Sequence, residues 1–313
     1  MQVGEKIATG GLAEEVKCPF SDPAQGVDAV ESENLPMDDT IAVEIQQDND
    51  GGVLGRNLAS ASNGKQGTVG GPYPPPRARP AKRTDTRRGG VRVRVPATDS
   101  IPEGNHGFTV AAHHLIPGEA SLAPSPLKNY MTQGESVKVK TRDGVKTKKL
   151  RKHIGYNVNG AHNGVWLPGN YYIRASNSPV ANTSWSELSD NPWCLNYVAA
   201  VAKVARGQFH DAHTKYSSAV KDLLIKIATV LSQHECEDCK PADINPPFHI
   251  KGRLYALSSY FRTQVTASPG GWKRPWFTSD RWRDDAFAGG KPSSEFLAAY
   301  RDARKATSPR TSV

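Results

Sequence analysis

Long apolar runs, an N-terminal leader and cysteines are all missing or scarce in this sequence of 313 residues. No stretch approaches the ~18 consecutive apolar residues of a membrane-spanning helix, so we predict no membrane span. No apolar core follows the first residues, Met1 to Lys6, and we therefore expect no secretory signal peptide. Four cysteines are too few for a disulfide scaffold. A cytoplasmic origin is the resulting expectation.

Charge is distributed unevenly along the chain, whose net charge is +9. Residues 1–50 hold 12 acidic and 2 basic residues, a net charge of −10, and residues 51–313 hold 38 basic and 19 acidic residues, a net charge of +19. A basic body with an acidic tail suggests that the body binds polyanions, and a solvated charged surface is the alternative.

Composition predicts three regions. Residues 1–50 form an acidic N-terminal segment, and residues 51–100 form a linker rich in glycine, proline and arginine. Both regions are too polar to bury a core, so we expect disorder in them. The alternation over Val91–Val95 fits either an edge strand or basic linker. Residues 101–313 are predicted to form the folded domain, with a helical C-terminal extension.

The folded region carries the periodic patterns of strands and helices. The apolar run Phe108–Ala112 predicts a buried strand that ends at His113 and His114, and Gly164–Pro168 predicts a second strand. Lysine-rich segments on either side of Asp143-Gly144 predict a hairpin. Apolar residues at helical spacing predict helices over Pro192–Arg206, Asp211–Gln233, Gly252–Val265 and Ser293–Ala306.

The histidines are concentrated within residues 106–249, so a metal or acid–base site would come from that part. Adjacent residues of a strand point to opposite faces. One of His113 and His114 can therefore ligate a metal while the other faces water or a substrate phosphate. His210 and His213 lie three apart at a predicted helix start, where they share a face.

Three motifs occur in the order found in a known group of nucleases. They are Ala112-His113-His114 followed by Leu-Ile-Pro117, Asn163-Gly-Val-Trp-Leu-Pro168, and His210-x-x-His213-x-x-Tyr216. Over roughly residues 107–231 the sequence resembles the AHH family of HNH/endonuclease VII nucleases, which supplies toxin domains of bacterial polymorphic effectors. The resemblance implies an α+β fold in which a ββα-metal core is embedded in a mainly helical domain.

The resemblance also implies a role for each site residue. His113 would be a metal ligand, and His114 would be the general base that directs water at the phosphate. Asn163 would hold the loop and orient His114 through its backbone. His213 would be a helical ligand, and His210 would be either a ligand or a residue that supports one. The expected cofactor is one divalent metal ion, and the donor set leaves Zn²⁺, Ni²⁺, Mg²⁺ and Mn²⁺ open.

Two further patterns suggest binding sites. A lysine-rich run between the histidine pair and Asn163 predicts a surface that tracks the phosphate backbone, with a solvated basic loop as the alternative. Its residues are Lys138, Lys140, Lys146, Lys148 and Lys149. Cys236 and Cys239 have the spacing of half a structural zinc site, and a disulfide or separate thiols are the alternatives.

We therefore predict a metal-dependent, non-sequence-specific endonuclease that hydrolyses phosphodiester bonds, with DNA as substrate. The resemblance alone implies an antibacterial effector that is made in the cytoplasm, exported without a signal peptide and delivered into a target cell, as by type VI secretion. It likewise implies a cognate immunity protein, and a secretion-system or chaperone partner for the N-terminal region.

Two alternatives stay open at the level of sequence. The same fold can act on RNA, because attack on phosphorus makes similar demands on the protein. A non-catalytic, zinc-stabilised nucleic-acid-binding protein is the rival from another class. A structural zinc site needs four protein ligands, whereas a catalytic site leaves a position for water or phosphate.

Overall fold

The protein combines helices with small sheets, as an α+β nuclease domain does. The computed structural model describes residues 19–20, 49–60, 92–99, 101–170, 173, 192–236, 242–247, 249–280 and 292–305. These residues fall into two compact units. The first takes its described residues from 1–69, 114–164 and 217–261, and the second from 70–113, 165–216 and 262–313. In the part of the chain that is described, no helix has the length and apolarity to cross a bilayer.

The first unit contains the predicted hairpin. Strands β4 (Ser136–Thr141) and β5 (Gly144–Leu150) are antiparallel, and β7 (Asp243–Ile244) pairs with β5 in parallel. Gly144 starts β5 with a φ of 110°, a backbone conformation that glycine adopts without strain. Alternation along β4 buries one face of the hairpin and exposes the other.

A helix of the first unit lies where the sequence predicted linker. Helix α1 (Gly51–Ser60) begins after Asp50, whose carboxylate accepts the backbone N–H groups of Gly52 and Val53 at 2.8 and 2.9 Å. Leu54 and Leu58, one helical turn apart, are buried. The capped first turn and the buried leucine pair stabilise this helix. The sequence pattern did not predict it, because glycine, which occupies its first two positions, disfavours helices. Most of the remaining predicted linker, and most of the acidic segment before it, lies outside the described residues.

The core of the second unit lies between a sheet and two helices. Strand β1 (Arg92–Val95) is the central strand of a three-stranded antiparallel sheet, between β2 (Gly104–Gly107) and β8 (Arg304–Lys305). Its two valines are buried against helix α2 (Pro192–Ala205). Helix α5 (Ser294–Asp302) packs on α2 through Phe296. The alternation near residue 93 thus belongs to a central strand, rather than to the edge strand or linker that the sequence left open.

The strand pair that carries the histidines is β3 (Thr109–His114) and β6 (Gly164–Gly169). The chain then reaches helix α3 (Thr214–Gln233) and, further on, helix α4 (Ile250–Thr266). These positions confirm the predicted strands and helices. Strand β3 ends at His113 and His114, as the sequence predicted.

Candidate metal centre and active site

Three histidines of the second unit form a cluster that can hold a metal ion. His113, His210 and His213 each offer a ring nitrogen, and these atoms lie within 4.8 Å of one another. The ring centroid of His113 is 4.9 Å from each of the other two, which are 5.1 Å apart. His113 is buried, and its two partners are half-buried.

His113 is held by the strand that carries it and by an aromatic neighbour. The ring of Tyr216 lies 5.1 Å from the His113 ring, and its side chain is fully buried. Tyr216 is in the first turn of α3, directly after the loop that provides the other two histidines. The tyrosine of the His-x-x-His-x-x-Tyr motif therefore packs against the cluster.

His210 and His213 precede α3 and are not part of it. The backbone N–H of His210 donates to Pro168 O at 2.7 Å, and His210 forms an isolated parallel bridge with Gly169 at the end of β6. The sequence predicted a helix over Asp211–Gln233, with His213 in its first turn and His210 either on the same face or just before the helix. The helix begins at Thr214 instead, so loop geometry rather than helical spacing brings the two rings together.

A segment near the C-terminus holds this loop in place. The N–H of Asp211 donates to Thr278 O at 3.1 Å, and the N–H of Asp280 donates to Ala212 O at 2.6 Å. The Asp280 carboxylate accepts the backbone N–H groups of Thr214 and Lys215 at the start of α3. Sequence reasoning missed this support, because a cap supplied from 66 residues away leaves no local pattern.

The donor set fits a divalent transition metal. Burial lowers the pKa of His213, and the nearby Asp280 carboxylate partly opposes that shift. A lowered pKa keeps the imidazole neutral near pH 7, with a lone pair for a metal. Three imidazoles are typical of Zn²⁺, Ni²⁺ and related ions, and three protein ligands leave a coordination position for water or phosphate.

His114, the next residue, makes its contact within the first unit. Its Nε2 lies 2.8 Å from the side-chain oxygen of Asn159. The same oxygen accepts the backbone N–H of Asp50 at 3.1 Å. Because a backbone N–H can only donate, the oxygen and not the amide nitrogen of Asn159 faces both groups. Nε2 of neutral His114 therefore carries the proton, and its basic lone pair is on Nδ1.

The Asn163 side chain forms hydrogen bonds with the backbone that follows the histidine pair. Its Nδ2 donates to the carbonyls of Ile116 and Val158, both at 2.8 Å. Its Oδ1 accepts the N–H of Ile116 at 2.8 Å and the hydroxyl of Ser258 at 3.1 Å. The backbone carbonyl of Asn163 accepts the N–H of Leu115, the residue after His114, at 2.9 Å. That Asn163 orients His114 in this way stays a prediction.

The hairpin divides the predicted lysine surface between two faces. Lys138, Lys140 and Lys149 share the exposed face, because Lys149 is opposite Ser136 in the register. Lys146 and Lys148 are on the other face, and Lys148 is only 6% exposed. Lys140 pairs with Glu235 and Lys146 with Asp143. The five lysines therefore do not form one surface, since a period of two separates neighbours along a strand.

Cys236 does not have the thiolate that a zinc site needs. It is disulfide-bonded, and its backbone N–H donates to Lys140 O at 2.8 Å. A sulfur in a disulfide is not a zinc ligand, so the predicted structural zinc does not form at Cys236 in this structure. The disulfide was one of the alternatives to zinc in the sequence. Cys239 lies outside the described residues.

Comparison with known proteins finds a nuclease family that is similar to part of the chain. Residues 100–246 match the model of a nuclease family of the HNH/ENDO VII superfamily with conserved AHH, and the chain carries that motif at Ala112–His114. The matched family is a nuclease family, and the mixture of helices and small sheets is consistent with an α+β nuclease domain. The match over residues 100–246 confirms the resemblance to the AHH family seen in the sequence. Searches of curated proteins and of solved structures find no match.

We predict that Asp280 supports metal binding without touching the ion. Asp280→Ala removes the cap of α3 and the negative charge beside His213, and we expect Zn²⁺ affinity to fall by ~10–100-fold. Calorimetric titration of the purified protein measures this loss. Asp143→Ala, which removes an exposed carboxylate from the hairpin, is the matched control and should bind as the wild type does. Equal affinities for the two variants would show that Asp280 does not support the ligands.

A second prediction concerns the exposed face of the hairpin. Lys138→Gln with Lys149→Gln should weaken DNA binding and should make the slope of log affinity against log salt shallower by ~2, since each contact contributes about −0.9. Fluorescence anisotropy between ~50 and ~200 mM salt measures the slope. Lys146→Gln removes one charge from the opposite face and should leave the slope nearly unchanged. A double variant with the wild-type slope would rule out this face as a phosphate-binding surface.

Proposed function

We propose that this protein is a metal-dependent endonuclease that cleaves DNA without sequence specificity, with His114 as general base. The observation that carries the proposal is that two consecutive histidines have different contacts. His113 belongs to the three-histidine cluster, whereas Nε2 of its neighbour His114 binds Asn159. Consecutive side chains of a strand point to opposite faces, so one is suited to ligation and the other to proton transfer.

The cluster and the catalytic groups suggest a ββα-metal arrangement. Strands β3 and β6 pair with each other, and helix α3 starts at the residue after the last histidine ligand. When bound by His113, His210 and His213, a divalent ion would neutralise charge on the phosphate and on the leaving oxygen. The match to the AHH family supports this assignment.

In the proposed mechanism, the first step is the activation of a water molecule by His114. Nδ1 of His114 accepts a proton from the attacking water, and the ring becomes an imidazolium. Nε2–H remains donated to the Asn159 oxygen throughout, so the ring keeps its orientation as its charge changes. The water oxygen forms a bond to phosphorus, and the bond from phosphorus to the leaving oxygen of the next nucleotide breaks. Contacts to phosphate rather than to bases would make the cleavage indifferent to sequence.

Ligand number favours an enzyme over a non-catalytic zinc protein. A closed structural site has four protein ligands, and among the described residues the cluster offers three. Purified protein incubated with supercoiled plasmid and with RNA, with EDTA or with individual metals, tests the class and the substrate together. Cleavage of plasmid that stops with EDTA supports the proposal, and cleavage of RNA alone would redirect it to the RNase alternative.

The proposed biological role is that of an antibacterial effector, and it rests on the family alone. In this role the protein would be delivered into a target cell and restrained in its producer by an immunity protein. Production in a susceptible bacterium without an immunity partner should arrest growth with loss of DNA. An equal arrest by the His114→Ala variant would mean that cleavage is not the cause.

His114→Ala separates catalysis from metal binding. The substitution removes the base but no ligand, so metal affinity and melting temperature should stay close to wild type while plasmid cleavage slows by ~10²–10⁴-fold. His249→Ala, which changes an exposed histidine outside the cluster, is the control and should cleave normally. Cleavage by His114→Ala at the wild-type rate would contradict the proposed mechanism.

A further inference from the structure

The segment before the matched family region contacts the residue that holds His114. We call residues 49–60 the brace; they lie outside the matched residues 100–246. The N–H of Asp50 donates to the side-chain oxygen of Asn159 at 3.1 Å, and Nδ2 of Asn57 donates to the backbone carbonyl of Asn159 at 2.8 Å. Side chain and main chain of one asparagine are thus both fixed by the brace.

The brace is itself firmly anchored on the first unit. Leu54 and Leu58 pack over Gly164, where an added Cβ would lie 2.6 Å from Cδ1 of Leu54 and 2.9 Å from Cδ1 of Leu58. A larger residue at this position would require the two leucine side chains to shift. Asn49 accepts the N–H of Gly118 through its side-chain oxygen at 2.7 Å, four residues beyond His114. The brace therefore contacts the chain after the catalytic base, at Gly118, and after its partner Asn159, at Gly164.

The brace also decides which end of the Asn159 amide faces His114. Two donors, the Asp50 N–H and Nε2–H of His114, converge on one oxygen. Without the Asp50 N–H, the amide can turn and offer its NH₂ to Nε2 at no cost from the backbone. That turn would require the lone pair to be on Nε2 and the proton on Nδ1. A proton on Nδ1 would prevent this nitrogen from accepting one from water.

We infer that residues 49–60 are a positioning element of the catalytic base, which fixes the Asn159 amide and through it the tautomer of His114. This inference rests on the proposed function for the role of His114. It assigns a function to residues that the amino-acid composition predicted to be linker. A protein without the brace contact would keep its metal cluster and cleave its substrate more slowly.

Substitutions at one position isolate the brace contact in the full chain. Asp50→Pro removes the backbone N–H that reaches Asn159, and Asp50→Ala keeps this N–H; both remove the carboxylate that caps α1. The two variants should melt at similar temperatures and bind Zn²⁺ as the wild type does. We expect plasmid cleavage to fall by ~10–100-fold in Asp50→Pro, the range for outer-shell groups, and by less than about twofold in Asp50→Ala.

A spectroscopic measurement keeps the test independent of cleavage. The ¹⁵N chemical shifts of the His114 ring, assigned by their loss in His114→Gln, report which nitrogen carries the proton in the neutral ring. The wild type and Asp50→Ala should show Nε2–H, and Asp50→Pro should show a mixture of tautomers. If the wild type cleaves nothing but this pattern holds, the proposed function fails while the brace contact stands.

Two results would overturn the inference. One is an Asp50→Pro variant with wild-type cleavage and wild-type ring shifts. The other is an Asp50→Pro variant whose cleavage falls no further than that of Asp50→Ala, or falls together with its melting temperature. Either outcome indicates a purely structural role. If Asp50→Pro does not fold, Asn57→Ala removes the second contact to Asn159 and Asn57→Gln retains a donor. A lower rate in Asn57→Ala, with rescue in Asn57→Gln, supports the inference, and equal rates in the two overturn it.

Discussion

The candidate site depends on the alternation of side chains at the end of a β-strand. His113 and His114 are joined by one peptide bond, and in an extended chain their rings point in opposite directions. One ring can therefore join a metal cluster while the other meets a hydrogen-bond acceptor. A helix would separate two adjacent side chains by only about 100°, so extension of β3 through both histidines is what allows two distinct tasks.

Both histidine environments depend on segments far away in the chain. On the ligand side, Asp280 caps α3, and the Thr278 carbonyl accepts the N–H of Asp211 in the loop that holds His210 and His213. On the base side, Asp50 fixes the amide that accepts from His114. Residues 50 and 280 both lie outside the family match of 100–246. In the proposed mechanism, the matched region supplies the reacting groups, and the flanking segments fix their positions.

Local patterns made most elements and the histidine cluster predictable. Apolar periodicity located α2, α3 and α4, and the motif order pointed to the three histidines that form the cluster. What the sequence could not reveal depends on long-range contacts. The start of α3 is set by Asp280, and α1 is stabilised by packing on Gly164, so neither leaves a local signal. The lysine run predicted a single surface, but its residues alternate between the two faces of a hairpin.

The central claim is that His113 binds the metal while His114 moves the proton. Plasmid cleavage measured over a wide range of metal concentration tests it directly, with His113→Ala and His114→Ala compared side by side. Loss of a ligand weakens affinity, so cleavage by His113→Ala should rise as metal is added, whereas His114→Ala should stay slow at every concentration. The same response to metal in both variants would contradict the account.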